Sequence, residues 1–416
     1  MKRLLPFLLA VLLLGSCALL KSGEPSDEDV STDPDEPVLT KQNIELTVWV
    51  EPGAGEGFIK QAAAAFNQKY PNIAIRVTGV ESSEVLRRVR TASAQGGCAD
   101  LFVLPHMELR SLADDLFILP ARDQTKVKNT VFPACAQAAA VNGVLYGYPV
   151  SSETTALIYN KRLIQERDIP STWEELIAFS KGFNDGERAG FVMPVGSAHH
   201  NAPFLTAWSN RPFGPAGDDP RAPNFSSLPA FEGMEVFQNL KSIVSLSVEE
   251  LTVEAAERLF ASGKAAMCIA GSWNVSRFSG VDFGVMPLPA FEPDNECLSM
   301  IFARVMTVSA YSPWPDEASA FADFLLTEEM QALQAELTGD LPSVEMTIRL
   351  PAYAAGFNRQ MQNAFAAPSL PEAAGYWTLF NAAAARIWEG GNVQAEMSAA
   401  SHAFFAAEEE GEEEQE

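Results

Sequence analysis

Glu51, Glu81, His106 and Glu108 fall where strands should end and loops begin, and a fourth glutamate, Glu153, stands just before the apolar run Leu157-Ile158-Tyr159. Carboxylates so placed can accept hydrogen bonds from ligand hydroxyls. They could equally select a cationic or amino-bearing solute, because a buried carboxylate needs a compensating charge. Two of them could in principle hydrolyse a glycan, if they flanked the bond at one of two fixed separations. Other chemistries have less behind them. Gly53-Ala54-Gly55-Glu56-Gly57 follows a strand and opens a helix, but its Gly-x-Gly-x-Gly spacing is not the Gly-x-Gly-x-x-Gly of a dinucleotide site. His199 and His200 are adjacent, and adjacent residues rarely chelate one ion, so they read as a polar loop. No Gly-x-Ser-x-Gly elbow occurs, and none of the four histidines sits in a catalytic motif. Cys98, Cys135, Cys268 and Cys297 lack metal-ligand spacing; three disulfide pairings are open to them, and free, mostly buried thiols are the expected state. The residues favour binding over catalysis, with no cofactor and no metal.

The elements that would position these side chains are legible as alternating and four-fold patterns. Leu46, Val48 and Val50 alternate as a first strand. After a glycine-rich turn, Phe58, Ala62, Phe66 and Tyr70 recur every four residues, the apolar stripe of a helix lying on a sheet. Ile73, Ile75 and Val77 give a second strand, Val85, Leu86 and Val89 a helix face, and residues 101–104 a buried third strand. Strand–helix–strand–helix–strand order implies parallel pairing and an α/β lobe. The second half repeats the style. It has strands at 157–159, 265–270, 281–287 and 305–310, helices starting at Ser171-Thr172 and spanning 255–260, and mainly helix from Pro315 onward. No internal repeat is visible.

The ends differ from the middle. Lys2 and Arg3 precede an apolar run over 4–14, shorter than the roughly 20 residues a spanning helix needs, and so read as a secretory signal. Leu14-Gly15-Ser16-Cys17 resembles a bacterial lipobox, making 1–16 a signal peptide and Cys17 the lipid-bearing residue. Residues 17–43 form an acidic, flexible tether, and 406–416 a disordered acidic tail. The two segments hold about half of the formal charge of −25, which argues against nucleic acid and anionic lipid surfaces as partners. The globular remainder is long for one core, and two domains are expected.

Five stretches in order resemble one family. They are Leu46-Thr47-Val48-Trp49; the run Val141-Asn142-Gly143-Val144-Leu145-Tyr146-Gly147-Tyr148-Pro149-Val150; Leu157-Ile158-Tyr159-Asn160-Lys161; Ser171-Thr172-Trp173-Glu174-Glu175-Leu176; and Gly263-Lys264-Ala265-Ala266-Met267 leading to Gly271-Ser272-Trp273. Over residues 44–400 the chain is similar to the extracellular solute-binding proteins of ABC importers, in the maltose-binding-protein-like group. The resemblance implies an α/β, two-lobed periplasmic-binding-protein fold with a ligand cleft between the lobes. One lobe would comprise 44–152 and 306–349, the other 156–301 and 353–405. The chain would cross the hinge near 152–155, 302–304 and 350.

The resemblance also implies a function and a site: capture of a sugar or oligosaccharide and delivery to ABC permease subunits, by a monomer held at the membrane through lipid, in the periplasm or on the extracellular face. Sugars present weakly apolar ring faces and many hydroxyls, so aromatic surfaces and oxygen acceptors suit them. Trp273 matches the family's stacking tryptophan of the second lobe, Trp377 a second stacking aromatic, and Glu153 a hinge-proximal hydroxyl acceptor. Trp208 and Asn210 fall where relatives place another aromatic contact. Asn381 lies one helical turn beyond Trp377. Arg304, amid apolar neighbours at a hinge crossing, is either a ligand contact or a structural ion pair. After the third strand the family's Asp–Arg pair is replaced by Met107-Glu108 and its tryptophan by Leu104, a departure that bears on maltodextrin as the ligand.

Overall fold

The computed structural model describes residues 38–93, 97–348 and 350–413. The signal segment, Cys17 and most of the tether lie outside the described residues. The end of the tether is docked: Asn72 Nδ2 donates to the carbonyls of Thr40 (2.8 Å) and Gln42 (2.9 Å), and Glu317 accepts the Thr40 N–H.

Strands β1 (Ile44–Val50), β2 (Ile73–Gly79) and β3 (Leu101–Pro105) pair in parallel, with the helices Ala54–Lys69 and Ser82–Ser93 as crossovers, as the periodicity implies. Gly53 opens the first helix at φ 108°, a backbone region closed to residues with a Cβ. β4 (Ile118–Leu119) is a short edge piece. β5 (Ala140–Val141) and β6 (Val144–Leu145) form a hairpin around Asn142-Gly143, both at positive φ, the turn whose twist suits a two-residue loop.

Two long strands join the halves of the molecule. β7 (Tyr148–Asn160) and β11 (Ser299–Ser309) run antiparallel at the centre of a ten-stranded sheet, ordered β2-β1-β3-β11-β7-β9-β8. β8 (Ala189–Val192) and β9 (Ala265–Gly271) are parallel; β10 (Phe283–Met286) pairs β7, and β12 (Ala364–Ala366) pairs β11. The strand expected at 157–159 is only the far end of β7, and the one expected at 305–310 the far end of β11. Almost every β7 side chain is buried, on both faces, so no alternation marks the nine residues before Leu157.

Hydrophobic packing follows this division. Tyr148 and Val150 of β7 and Val305 and Val308 of β11 join a core built on β1–β3. Leu157 and Tyr159, further along β7, join a second core with Trp173, Phe204, Phe237 and Trp388. The helix Trp173–Phe183 is capped as its sequence implies: Thr172 Oγ1 accepts the Glu175 N–H, and the Glu175 carboxylate reaches back to Ser171. The last helix, Val393–Glu413, runs into residues expected to form a structureless tail; an Ala- and Glu-rich run has the propensity to continue one.

Candidate functional site

The site grows from the crossing of β7 and β11. Pro149 has no N–H to give the ladder, and the register slips there: Arg304 faces Ser151 but Val305 faces Pro149, leaving Val150 unpaired. Gln331 Nε2 donates to the freed Val150 carbonyl. Such a bulge re-aims neighbouring side chains, and Arg304 emerges at it.

Beside the crossing lies a hollow of about 230 Å³ lined by Ser151, Ser152, Glu153, Phe302, Arg304 and Asp340. It shares Ser151, Arg304 and Asp340 with a second hollow of about 220 Å³ that reaches Glu51, Gly55 and Phe58. Arg304 Nη1 contacts Glu51 Oε2 and Ser82 Oγ, each at 3.0 Å, and Ser82 donates to Glu51. Burial pushes the Glu153 carboxyl above its ordinary range, the nearby Asp340 charge adds to this, and Arg304 opposes it. Burial likewise raises Asp340, against a hydrogen bond from Ser151 and the attraction of Arg304. Among the described residues, nothing donates a hydrogen bond to Glu153. It is an acceptor facing space.

An aromatic row starts at Phe302 in the lining of the first hollow. Phe302 from β11, His199 and Trp273 stand in a row, with ring centroids 4.9 Å and then 4.8 Å apart. Trp273 is 38 % exposed, and its indole lies so close over Gly271 that a Cβ there would come within 2.3 Å of ring carbons. Phe302 and Trp377 both pack against Ala202, Met300, Phe365 and Ala367, so Trp377 and the Trp273 row border one apolar cluster. His199 donates Nε2–H to the Met300 carbonyl (3.1 Å), which leaves Nδ1 as an acceptor. Burial holds the His199 pKa down to about 4 and that of His200 to about 3. The two histidines sit on the helix Ala198–Leu205, not in the polar loop their adjacency suggested.

Several expected site residues are occupied elsewhere. His106 is buried with both ring nitrogens engaged: Nε2 bonds the Ala367 carbonyl at 2.9 Å, and Nδ1 accepts the Ala303 N–H. Through these bonds it stitches the end of β3 to β11 and to the chain beyond β12. Asn210 gives its amide hydrogens to the carbonyls of Leu205 and Asn224 and accepts from Ser227, so it holds a loop. Trp208, at φ 46°, packs on Phe291 (5.0 Å) rather than in the Trp273 row. Glu81 is exposed, and neither it nor the half-buried Glu108 lines either hollow. Asn381 follows Trp377 on its helix with a buried, unpartnered Oδ1. Asp340, Phe302, His199 and Gly271 were not singled out as site residues from sequence. Gly271 stands in the Gly271-Ser272-Trp273 motif, Phe302 beside Arg304 and His199 beside His200, while Asp340 carries no sequence signal.

Cys98, Cys135, Cys268 and Cys297 are free thiols. Among the described residues no group of three potential metal ligands occurs, and no helix is long and apolar enough to cross a membrane.

Residues 51–332 match the family of bacterial extracellular solute-binding proteins. The chain belongs to that family. A galactooligosaccharide-binding protein from Bacillus subtilis (strain 168) is 27% identical over 352 residues, 82% of this chain and 83% of the relative. A maltooligosaccharide ABC transporter solute-binding lipoprotein from Streptococcus pneumoniae (strain ATCC BAA-255 / R6) is 22% identical over 391 residues, 89% and 87% of the two chains. In three dimensions this solute-binding protein resembles a cyclo/maltodextrin-binding protein complexed with maltotetraose, with TM-score 0.80, 25% identity, and 89% and 98% of the chains covered. It also resembles the Staphylococcus aureus extracellular solute-binding protein in complex with maltose, with TM-score 0.80, 20% identity, and 88% and 98% covered. The fold is therefore the two-lobed α/β architecture of maltose-binding proteins.

Proposed function

We propose that the protein captures a neutral oligosaccharide between its lobes and delivers it to an ABC permease, held at the membrane by lipid on Cys17. The observation that supports the reading is the row Phe302–His199–Trp273, which begins at a hollow also lined by Glu153, an acceptor without a donor among the described residues. Indole and phenyl faces suit the apolar faces of sugar rings, while Glu153 and His199 Nδ1 accept hydrogen bonds from sugar hydroxyls. Named relatives that bind galacto- and maltooligosaccharides support the ligand class. The lobes would swing about β7 at 152–155 and β11 at 302–304, closing when one ligand touches both.

The cationic-solute alternative required Glu51, Glu81, Glu108 and Glu153 to form one cup. Glu81 and Glu108 lie apart from the hollows, and Arg304 already neutralises Glu51. A glycan-cleaving role fares no better, since the family is one of binding proteins. Calorimetric titration against a panel of neutral α- and β-linked oligosaccharides tests the proposal. Saturable heat from one of them is expected; response to polyamines or amino acids alone would overturn it.

A further inference from the structure

Trp273 sits on a short helical turn, Ser272–Phe278, that leaves the end of β9. A stacking surface works only at a fixed angle, because a tilted ring loses most of its contact with a sugar face. The turn is fastened at its start, where Gly271 pairs with Thr155 of β7 and Ser272 Oγ accepts the Thr154 N–H at 3.3 Å. Its remaining length crosses the helix Val253–Ala261, and there one side chain takes hold of it. Glu257 is 2 % exposed. Its Oε1 accepts from Asn274 Nδ2 at 2.6 Å, and its Oε2 from Arg277 Nη1 at 2.6 Å. Asn274 is the neighbour of Trp273, and Arg277 lies one turn further on.

A buried carboxylate is among the least favourable groups to place in a protein interior unless it is paired and hydrogen-bonded. An apolar residue would fill the same helix position at lower cost if packing alone were needed. Burial does raise the Glu257 carboxyl, and its two donors counteract this. Both donors come from the turn that carries Trp273.

We infer that Glu257 is a positioning residue for ligand capture: its carboxylate fixes the angle of the Trp273 indole by gripping Asn274 and Arg277. The inference rests on the proposal that Trp273 stacks on sugar, and its test keeps the two separable. The full chain is labelled with 5-fluorotryptophan, and the Trp273 resonance is assigned by loss in Trp273→Phe. Glu257→Ala should shift or split that resonance in ligand-free protein. Glu257→Gln, whose amide oxygen can still accept from Asn274, should restore much of it. Met397→Ala, which opens the core of the same lobe, controls for lost stability and should leave the resonance in place. Maltotetraose and a galactotriose are then titrated into each variant, and Glu257→Ala should weaken the better ligand roughly tenfold, the scale of one aromatic contact. A Trp273 resonance unchanged by Glu257→Ala, or an affinity loss no greater than that of Met397→Ala at matched melting temperature, would overturn the inference. If neither sugar binds the wild type, the functional reading fails while the fluorine spectrum still decides the positioning role.

Discussion

Arg304 Nη1 lies 3.0 Å from Glu51 Oε2, across the boundary between two hollows at the crossing of β7 and β11. Both side chains are about two-fifths exposed, so the pair itself contributes little, about 0–1 kcal/mol. Its weight lies in its neighbours, since Glu153 and Asp340 both rely on the same guanidinium.

Arg304→Met should therefore lower stability at pH 7 by about 1 kcal/mol, the ordinary size of a single substitution. The loss should shrink on acidification toward pH 5. Glu153 and Asp340 have carboxyls raised by burial, so without Arg304 they take up protons sooner and the repulsion between them is relieved. Melting temperature against pH for both proteins checks this; parallel curves would contradict it.

Gly271→Ala should weaken sugar binding roughly tenfold while leaving the melting temperature within a few degrees of wild type. The backbone at Gly271 has φ −81°, which alanine adopts readily, so the substitution acts only through its methyl group against the indole. Affinity measured beside a melting curve separates the two effects.

Acidification should destabilise the protein through His199 and His200. Their folded pKa values are held down to about 4 and about 3, against an ordinary value of 6.5. Below pH 6.5 the unfolded chain binds protons that the folded chain refuses, so stability falls as pH drops from 6.5 toward 4. Above 6.5 both states are neutral and the slope vanishes. His200→Gln should flatten the decline, and an unchanged slope in denaturant titrations at several pH values would argue against it.

How much of this was legible beforehand follows from the range of each interaction. Strands β1 and β2 and the crossover helices are local patterns that periodicity reveals, while β3, buried on both faces, shows as a short continuous apolar run. The central strand β7 is buried on both faces, so only its apolar end at 157–159 stood out. The glutamates after β1 and within β7 are visible in the sequence as acceptors, but the sequence does not show that they share Arg304. From sequence His106 reads as cleft-facing because it follows a strand. Its partners, Ala303 and Ala367, lie 197 and 261 residues away, and no local pattern announces them. His199 reads from sequence as part of a polar loop, because the rings that converge on it come from β11 and from the turn after β9.

The central claim is that indole faces and oxygen acceptors hold a neutral sugar chain. Isothermal titration of wild type, Trp273→Ala and Trp377→Ala with the panel's best oligosaccharide, at 0.05 and 0.5 M salt, tests it most directly. The account predicts saturable binding to wild type that changes less than about twofold with salt, as for an uncharged ligand. It predicts losses of roughly tenfold or more in each tryptophan variant. Full affinity in both variants, or binding that collapses at the higher salt, would contradict it.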